Sequence, residues 1–192
     1  MNKNQVAIVA VFLVFGLPVL LATLLHSTWF DWRPDGTRNH GELISPVIAL
    51  PEFSLGTPDD QTLEHADLLD RWQLVHVRGG DCSEACLEHL YWLRQVRAAQ
   101  DRHQPDIGLL LITTAELDAG TLEQINLLAA DFRVLHGAEG QYLASYFSQP
   151  SEAQASYILD PMANIILAYE DGADPNGIRR DLRRLLTWTR RD

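Results

Sequence analysis

Residues 72–100 read WQLVHVRGGDCSEACLEHLYWLRQVRAAQ, and this stretch decides the fold. Gln73–Val77 is a short apolar run suited to a strand, and it ends at Gly79-Gly80, where a backbone without side chains turns sharply. From Ser83 to Gln100, the residues Cys86, Leu90, Leu93 and Val96–Arg97 recur at spacings of three and four, the period of an amphipathic helix. A core strand that turns directly into a helix, with two cysteines at the junction, is the nucleus from which the rest can be read.

Outward from that nucleus, apolar runs and helix-period stretches alternate. Ile107–Thr113 (IGLLLIT) is continuously apolar, as in a strand covered on both faces. Thr121–Ala130 reads as a helix, Phe132–Leu135 as a short strand and Ala138–Phe147 as a further helix. Tyr157–Leu159 and Ile165–Tyr169 flank Asp160-Pro161-Met162-Ala163-Asn164, a hairpin turn. Asn176–Trp188 closes the chain as a helix with Ile178, Leu182, Leu185 and Leu186 on one face. The order β-α-β-α-β-α-β-β-α predicts an α/β fold, a mixed sheet flanked by helices in the thioredoxin-like arrangement. Fold analogy alone fixes no function.

Upstream, Val6–Leu25 (VAIVAVFLVFGLPVLLATLL) is free of charge, with Lys3 before it and Asp31 and Arg33 after it. As a helix it measures about 30 Å, the thickness of a bilayer's hydrocarbon core. Trp29, Phe30 and Trp32 follow where an interfacial aromatic belt would sit. The run is longer than the apolar region of a cleaved signal peptide, and no small-x-small site follows it. The expected organisation is therefore a transmembrane anchor at 1–26, a proline-punctuated tether at 27–51 and a domain at 52–192. Lys3 and the amino terminus favour an inside N-terminus, but Arg33 and Arg38 offset much of that bias.

With 192 residues, 46% of them hydrophobic and 21% charged, the chain has room for one ordinary domain besides the anchor, and wholesale disorder is excluded. A net charge of −11 argues against nucleic acid as a partner, because phosphate binding needs clustered Lys and Arg. The negative charge lies in the body, whereas Arg179, Arg180, Arg183, Arg184, Arg190 and Arg191 make the end of the chain basic. Those arginines suit the solvated face of an amphipathic helix or contact with anionic lipid. No H-E-x-x-H, P-loop or G-x-S-x-G occurs.

Two cysteines are too few for a disulfide-stapled miniature or a four-thiolate zinc site. Cys82 falls at or near the helix N-terminus, where free amides and the helix dipole favour a thiolate, and Cys86 lies one turn on along the same face. In an oxidising compartment such a pair can form a static disulfide, cycle between redox states or hold a soft metal ion. Asp81, Glu84 and Glu88 oppose a strongly oxidising dithiol and favour a bound cation. Positions 82, 86 and 89 lie within about 60° of one another on a helix, so Cys82, Cys86 and His89 are a candidate Cu(I) set of two thiolates and an imidazole. A solvated histidine on the helix face is the alternative for His89. His76 alternates with Val75 and Val77 and faces either the site or the opposite side of the sheet.

The anchor, the tether, the strand WQLVHV, C-x-x-x-C opening a helix and YILDP before the last hairpin resemble the Sco/SenC group of thioredoxin-like proteins. HGELISPVIALPEFSL, LYWLRQVRAA after the cysteines and YILDPMANIILAYE are similar to small membrane-anchored proteins of bacterial cytochrome c oxidase assembly. The resemblance implies a single-pass protein of the inner membrane with its C-terminal domain in the periplasm. It further implies Cys82 and Cys86 as copper ligands or as a thiol–disulfide pair, with oxidase subunits or other assembly factors as partners. The Sco pattern has a histidine ligand in the loop before the YILDP-like strand, whereas here that loop reads QPSEAQAS (149–156). Nor does a proline directly precede the strand as in thioredoxins. His89, His76 and His136 are the candidates to replace the missing ligand, and weak or absent copper binding is the alternative. The competing expectations are a metal-free thiol–disulfide oxidoreductase and a degenerate thioredoxin-like binding module with a static disulfide.

Overall fold

The computed structural model describes residues 2–25, 39–147 and 154–188. The chain divides into two units, residues 1–37 and 38–192. In the first, helix α1 runs over Lys3–Leu25 with Pro18 inside it. The Thr23 hydroxyl donates back to the carbonyls of Val19 and Leu20 at 3.0 and 2.9 Å. Among the described residues no helix is long and apolar enough to cross a membrane. Trp29, Phe30, Trp32 and tether positions 27–38 lie outside the described residues.

The second unit is built on β4 (Trp72–Arg78), the strand read first in the sequence. It pairs in parallel with β5 (Ile107–Thr113), which pairs in parallel with β6 (Phe132–Leu135). On its other side β4 pairs antiparallel with β7 (Gln154–Leu159), followed by β8 (Asn164–Glu170) and β1 (Glu42–Ala49), so the six-stranded order is β1-β8-β7-β4-β5-β6. A separate ribbon joins β2 (Ser54–Gly56) and β3 (Thr62–Glu64). The parallel half arises because α2 (Glu84–Ala98) and α3 (Ala119–Leu128) carry the chain back between strands. The antiparallel half arises from the hairpin at Asp160–Asn164. There the Asp160 carboxylate accepts from the amides of Met162 and Asn164, both at 2.9 Å, and Ala163 takes φ 58°.

Alternation along β4 splits the core. Trp72 and Leu74 join Leu90 and Leu93 of α2, Ile125 of α3 and Ile178, Leu182 and Leu186 of α5 (Pro175–Trp188) on one face. Val75 and Val77 join Leu143 of α4 (Gly137–Ala144), Tyr157 and the β2–β3 ribbon's Leu63 on the other. The buried positions of α2, namely Cys86, Leu90, Leu93, Val96 and Arg97, are those the spacing predicts. Arg97 is tolerated there because its guanidinium grips Asp131 through two bonds of 2.6 and 2.9 Å.

The segment read as a tether contributes β1, an edge strand. Pro46 lies inside it and the register shifts between Leu43 and Ile48, features that an edge strand accommodates and a central strand does not. Its entry is tied down by Asp181 of α5, whose side chain is fully buried. One carboxylate oxygen accepts from the amides of His40 (2.6 Å) and Gly41 (3.0 Å) and from the Tyr169 hydroxyl (3.0 Å). Burial and the neighbouring Asp181 push the Tyr169 phenol well above its usual range. Gly41 is required where it stands, since a Cβ there would lie 2.6 Å from the Tyr169 ring.

Candidate functional site

β4 ends at Arg78, and the chain turns through Gly79 and Gly80 to reach α2. Gly80 takes φ 106°, a conformation that side chains disfavour. The turn is bolted to the end of β5: Gly80 N–H donates to the Thr114 hydroxyl at 2.9 Å, and the Thr113 hydroxyl donates to the Gly80 carbonyl. Cys82 therefore arrives at the C-terminal edge of the parallel strands, immediately before Ser83, the N-cap of α2.

Cys82 and Cys86 are joined as a disulfide, with Cα atoms 5.2 Å apart. The two cysteines are not equally buried. Cys82 retains 7% exposure, while Cys86 has 0% and belongs to the cluster of Leu74, Leu90 and Leu111. Cys82 is thus the less enclosed of the pair. Asp81, Glu84 and Glu88 are all exposed around this mouth, so their charge acts on the sulfurs through solvent. Tyr91 and Trp92, 41% and 43% exposed, meet edge to face at 5.3 Å farther along the helix.

His89 is neither a solvated surface histidine nor a ligand beside the sulfurs. It turns inward, its Nε2 2.8 Å from Ser156 Oγ on β7, and its ring stacks on His76 with centroids 4.4 Å apart and planes at 22°. His76 lies on the same face of β4 as Trp72 and Leu74, so it faces α2. Its Nδ1 is 3.2 Å from the same Ser156 hydroxyl, and His76 and Ser156 are 0% and 2% exposed. Burial lowers the pKa of His89, and Asp171 partly opposes this. His136, after β6, accepts from the Leu117 amide at 3.0 Å and lies 3.0 Å from Glu116. Ser156 went unnoticed in the sequence because its only signal is pairwise: it is the residue opposite His76 in the β4–β7 register.

Copper can be tested against these residues. Both candidate thiolates are consumed in the disulfide, and His89 is committed to Ser156 and His76. Among the described residues no group of three or more His, Cys, Asp or Glu side chains is placed to hold a metal ion. The Cys82–Cys86–His89 set expected from helical spacing is not assembled, since the wheel angle places His89 on the proper face but not the direction of its ring. As arranged, the residues do not fit a three-donor copper site.

An open groove of about 890 Å³ lies between α2 and the β8–α5 turn, lined by Ala85, Glu88, His89, Trp92 and Asp171 among others. Another, of about 770 Å³, lies at the far ends of β4 and β5, around Gln73 and Gly108, remote from the cysteines.

Residues 72–189 match a family model described as transmembrane-like, thioredoxin-like, C-terminal domain. No curated protein is significantly similar to the chain. Among solved structures, apo Sco1 from Thermus thermophilus aligns at 15% identity over 80% of this chain and 99% of its own, with TM-score 0.60. Copper-bound ScoI from Arabidopsis thaliana aligns at 15% identity over 72% and 98%, with TM-score 0.58. A putative thiol:disulfide interchange protein, DsbE, from Chlorobium tepidum aligns at 13% identity over 73% and 95%, with TM-score 0.54. These likenesses establish the thioredoxin-like fold, the one the strand order predicts and the one shared by Sco proteins.

Proposed function

The chain belongs to the transmembrane-like, thioredoxin-like C-terminal domain family, and from that premise we propose that it is a membrane-anchored thiol–disulfide accessory protein. Val6–Leu25 is the anchor, the thioredoxin-like body faces the periplasm, and the clients are cysteines of cytochrome c oxidase subunits or of their assembly factors. The apolar run, the transmembrane-like description of the family and the resemblance of the chain's motifs to oxidase assembly proteins support this reading.

It rests on one observation: an oxidised Cys82–Cys86 pair at the strand-to-helix turn, with Cys82 less buried than Cys86. A client thiolate attacks Cys82 Sγ, the Sγ–Sγ bond breaks, and Cys86 leaves with the electron pair. The client's second thiolate then attacks its own sulfur in the mixed disulfide and releases Cys82. The client departs oxidised and the chain holds two electrons as a dithiol; the reverse sequence reduces a client disulfide. Cys82 is the nucleophile in that reverse direction, helped by the amides and dipole at the start of α2.

Cys86→Ala should trap mixed disulfides through Cys82, and Cys82→Ala should trap none. Trapped partners are identified by mass spectrometry of the cross-linked membrane fraction. Exchange and trapping that survive the loss of Cys82, or oxidase activity indifferent to both substitutions, would remove the proposal. Copper is carried by some relatives of the same fold; here Cu(I) binding no tighter than in a Cys82→Ser/Cys86→Ser double variant is the expected result.

A further inference from the structure

We infer that Thr113 and Thr114, at and just past the end of β5, are positioning residues that hold Cys82 in place while it is bonded to a client sulfur. The inference rests on the exchange chemistry proposed above and deepens it. When Cys82 carries the client, the Cys86 thiolate attacks Cys82 Sγ. The bond between Cys82 and the client sulfur breaks, and the client leaves as a thiolate with the electron pair. This closing step needs the Cys82 sulfur to stay near Cys86 at the one stage when no bridge joins them.

The turn before α2 has little packing to hold it. Gly79 is exposed, and a Cβ on Gly80 would meet nothing within 4 Å. Asp81, Ser83, Glu84 and Ala85 are exposed, and Ser83 makes no side-chain capping bond to the helix. Among the described residues, the hydrogen bonds that tie residues 79–82 to the sheet are two, both at Gly80. Its N–H donates to the Thr114 hydroxyl at 2.9 Å, and its carbonyl accepts from the Thr113 hydroxyl. Both directions are fixed, because a backbone amide nitrogen only donates and a carbonyl only accepts. Thr114 N–H donates in turn to the Arg78 carbonyl at 3.2 Å, which closes the strand pair just before the turn. Both backbone groups of Gly80 are therefore taken by adjacent residues of one strand end, and Cys82 follows two residues later.

The hydroxyls themselves call for a reason. The rest of β5 is apolar, and Thr113 is 0% exposed, where valine would offer the same branched shape with no polar group to satisfy. A buried hydroxyl is tolerated when it is bonded, and this one bonds the turn that carries the cysteines. Arg78 stands opposite Thr113 in the β4–β5 register, so the grip falls two residues beyond the last paired residue of β4. Two successive glycines leave the chain freer there than other residues would. Releasing Gly80 should lower the share of conformations in which the two sulfurs meet by about tenfold. Thr113 and Thr114 act through the backbone and carry neither electrons nor protons in the exchange.

The test uses the reduced full chain in detergent with oxidised glutathione as the partner. Acid quenching and mass spectrometry follow the Cys82–glutathione mixed disulfide as it forms and as it closes to the Cys82–Cys86 bridge. Thr113→Val/Thr114→Val should slow closure by about tenfold, so the mixed disulfide accumulates, while its formation keeps the wild-type rate. Thr113→Ser/Thr114→Ser, which retains both hydroxyls, should restore closure. Thermal unfolding of the oxidised variants checks the fold. If the double valine variant does not fold, Thr114→Val alone, at a half-buried position, carries the same comparison. Closure at the wild-type rate in the valine variants, equal slowing of both steps, or slow closure in the serine variant would each overturn the inference. Glutathione needs no client, so such a result is distinct from an absence of Cys82-dependent trapping in cells. A wild-type chain that forms no mixed disulfide at Cys82 would remove the exchange reading and this one with it.

Discussion

Reduction of the disulfide offers a quantitative check on what it does for the fold. The bridged residues are four apart, so the closed loop holds about five residues. Chain entropy then assigns the bridge about 2 kcal/mol, well below what a bridge between distant elements supplies. For a chain of this size that corresponds to a fall in Tm of roughly 4–8 °C on reduction. By the thermodynamic cycle, folding favours the disulfide over the dithiol by the same amount, roughly thirtyfold. Two measurements address this. One is thermal unfolding of the full chain in detergent with and without excess reductant. The other is the glutathione equilibrium of the pair in native and denaturing solution. Agreement of the two within a factor of a few is the expected result. A loss above about 4 kcal/mol exceeds what five residues supply and would mean that the bridge is a structural keystone, against the exchange role. No loss at all would mean that the reduced loop is already held closed by its neighbours.

Acidification should destabilise the protein through His89. Burial lowers its pKa in the folded state, so the unfolded chain binds the extra proton first; stability present above the ordinary histidine value of 6.5 is lost as pH falls from there towards the folded value. That part of the Tm–pH slope should vanish in His89→Gln. Gly140→Ala should cost about 1–3 kcal/mol despite better helix propensity, because its Cβ would lie 2.0 Å from the Thr113 carbonyl oxygen, read by chemical denaturation. Asp181→Ala should cost about 3 kcal/mol by leaving two amides and a buried phenol without their acceptor, and Asp181→Asn distinctly less, by the same measurement.

Elements whose signal is local were legible in the sequence. Ile107–Thr113 is a strand over those residues because a strand buried on both faces is written as a nearly continuous apolar run, and Phe132–Leu135 is one over those residues with only Arg133 breaking its apolar side chains. The helix α3 begins two residues before the expected Thr121. Asp118, outside the expected helix, is its cap and accepts from the amides of Gly120 and Thr121. β1 was not legible, since Pro46 and the exposed Leu43 and Val47 break its alternation and only its pairing with β8 makes it a strand. The site divides the same way. Cys82 and Cys86 declared themselves by spacing, and His89 by helical angle. Its actual partners depend on a strand register between residues 80 positions apart in sequence, which no local pattern encodes.

The carboxylate of Asp181 has a mechanical consequence. The polypeptide enters the folded body at Asn39–Gly41, and Arg184 adds a bond to Asn39 at 3.0 Å. A tug delivered along the chain from its N-terminal side meets this mooring before it can peel the edge strand from β8. Lateral drag would therefore be borne by the last helix and the Tyr169 ring before it reached the central strands.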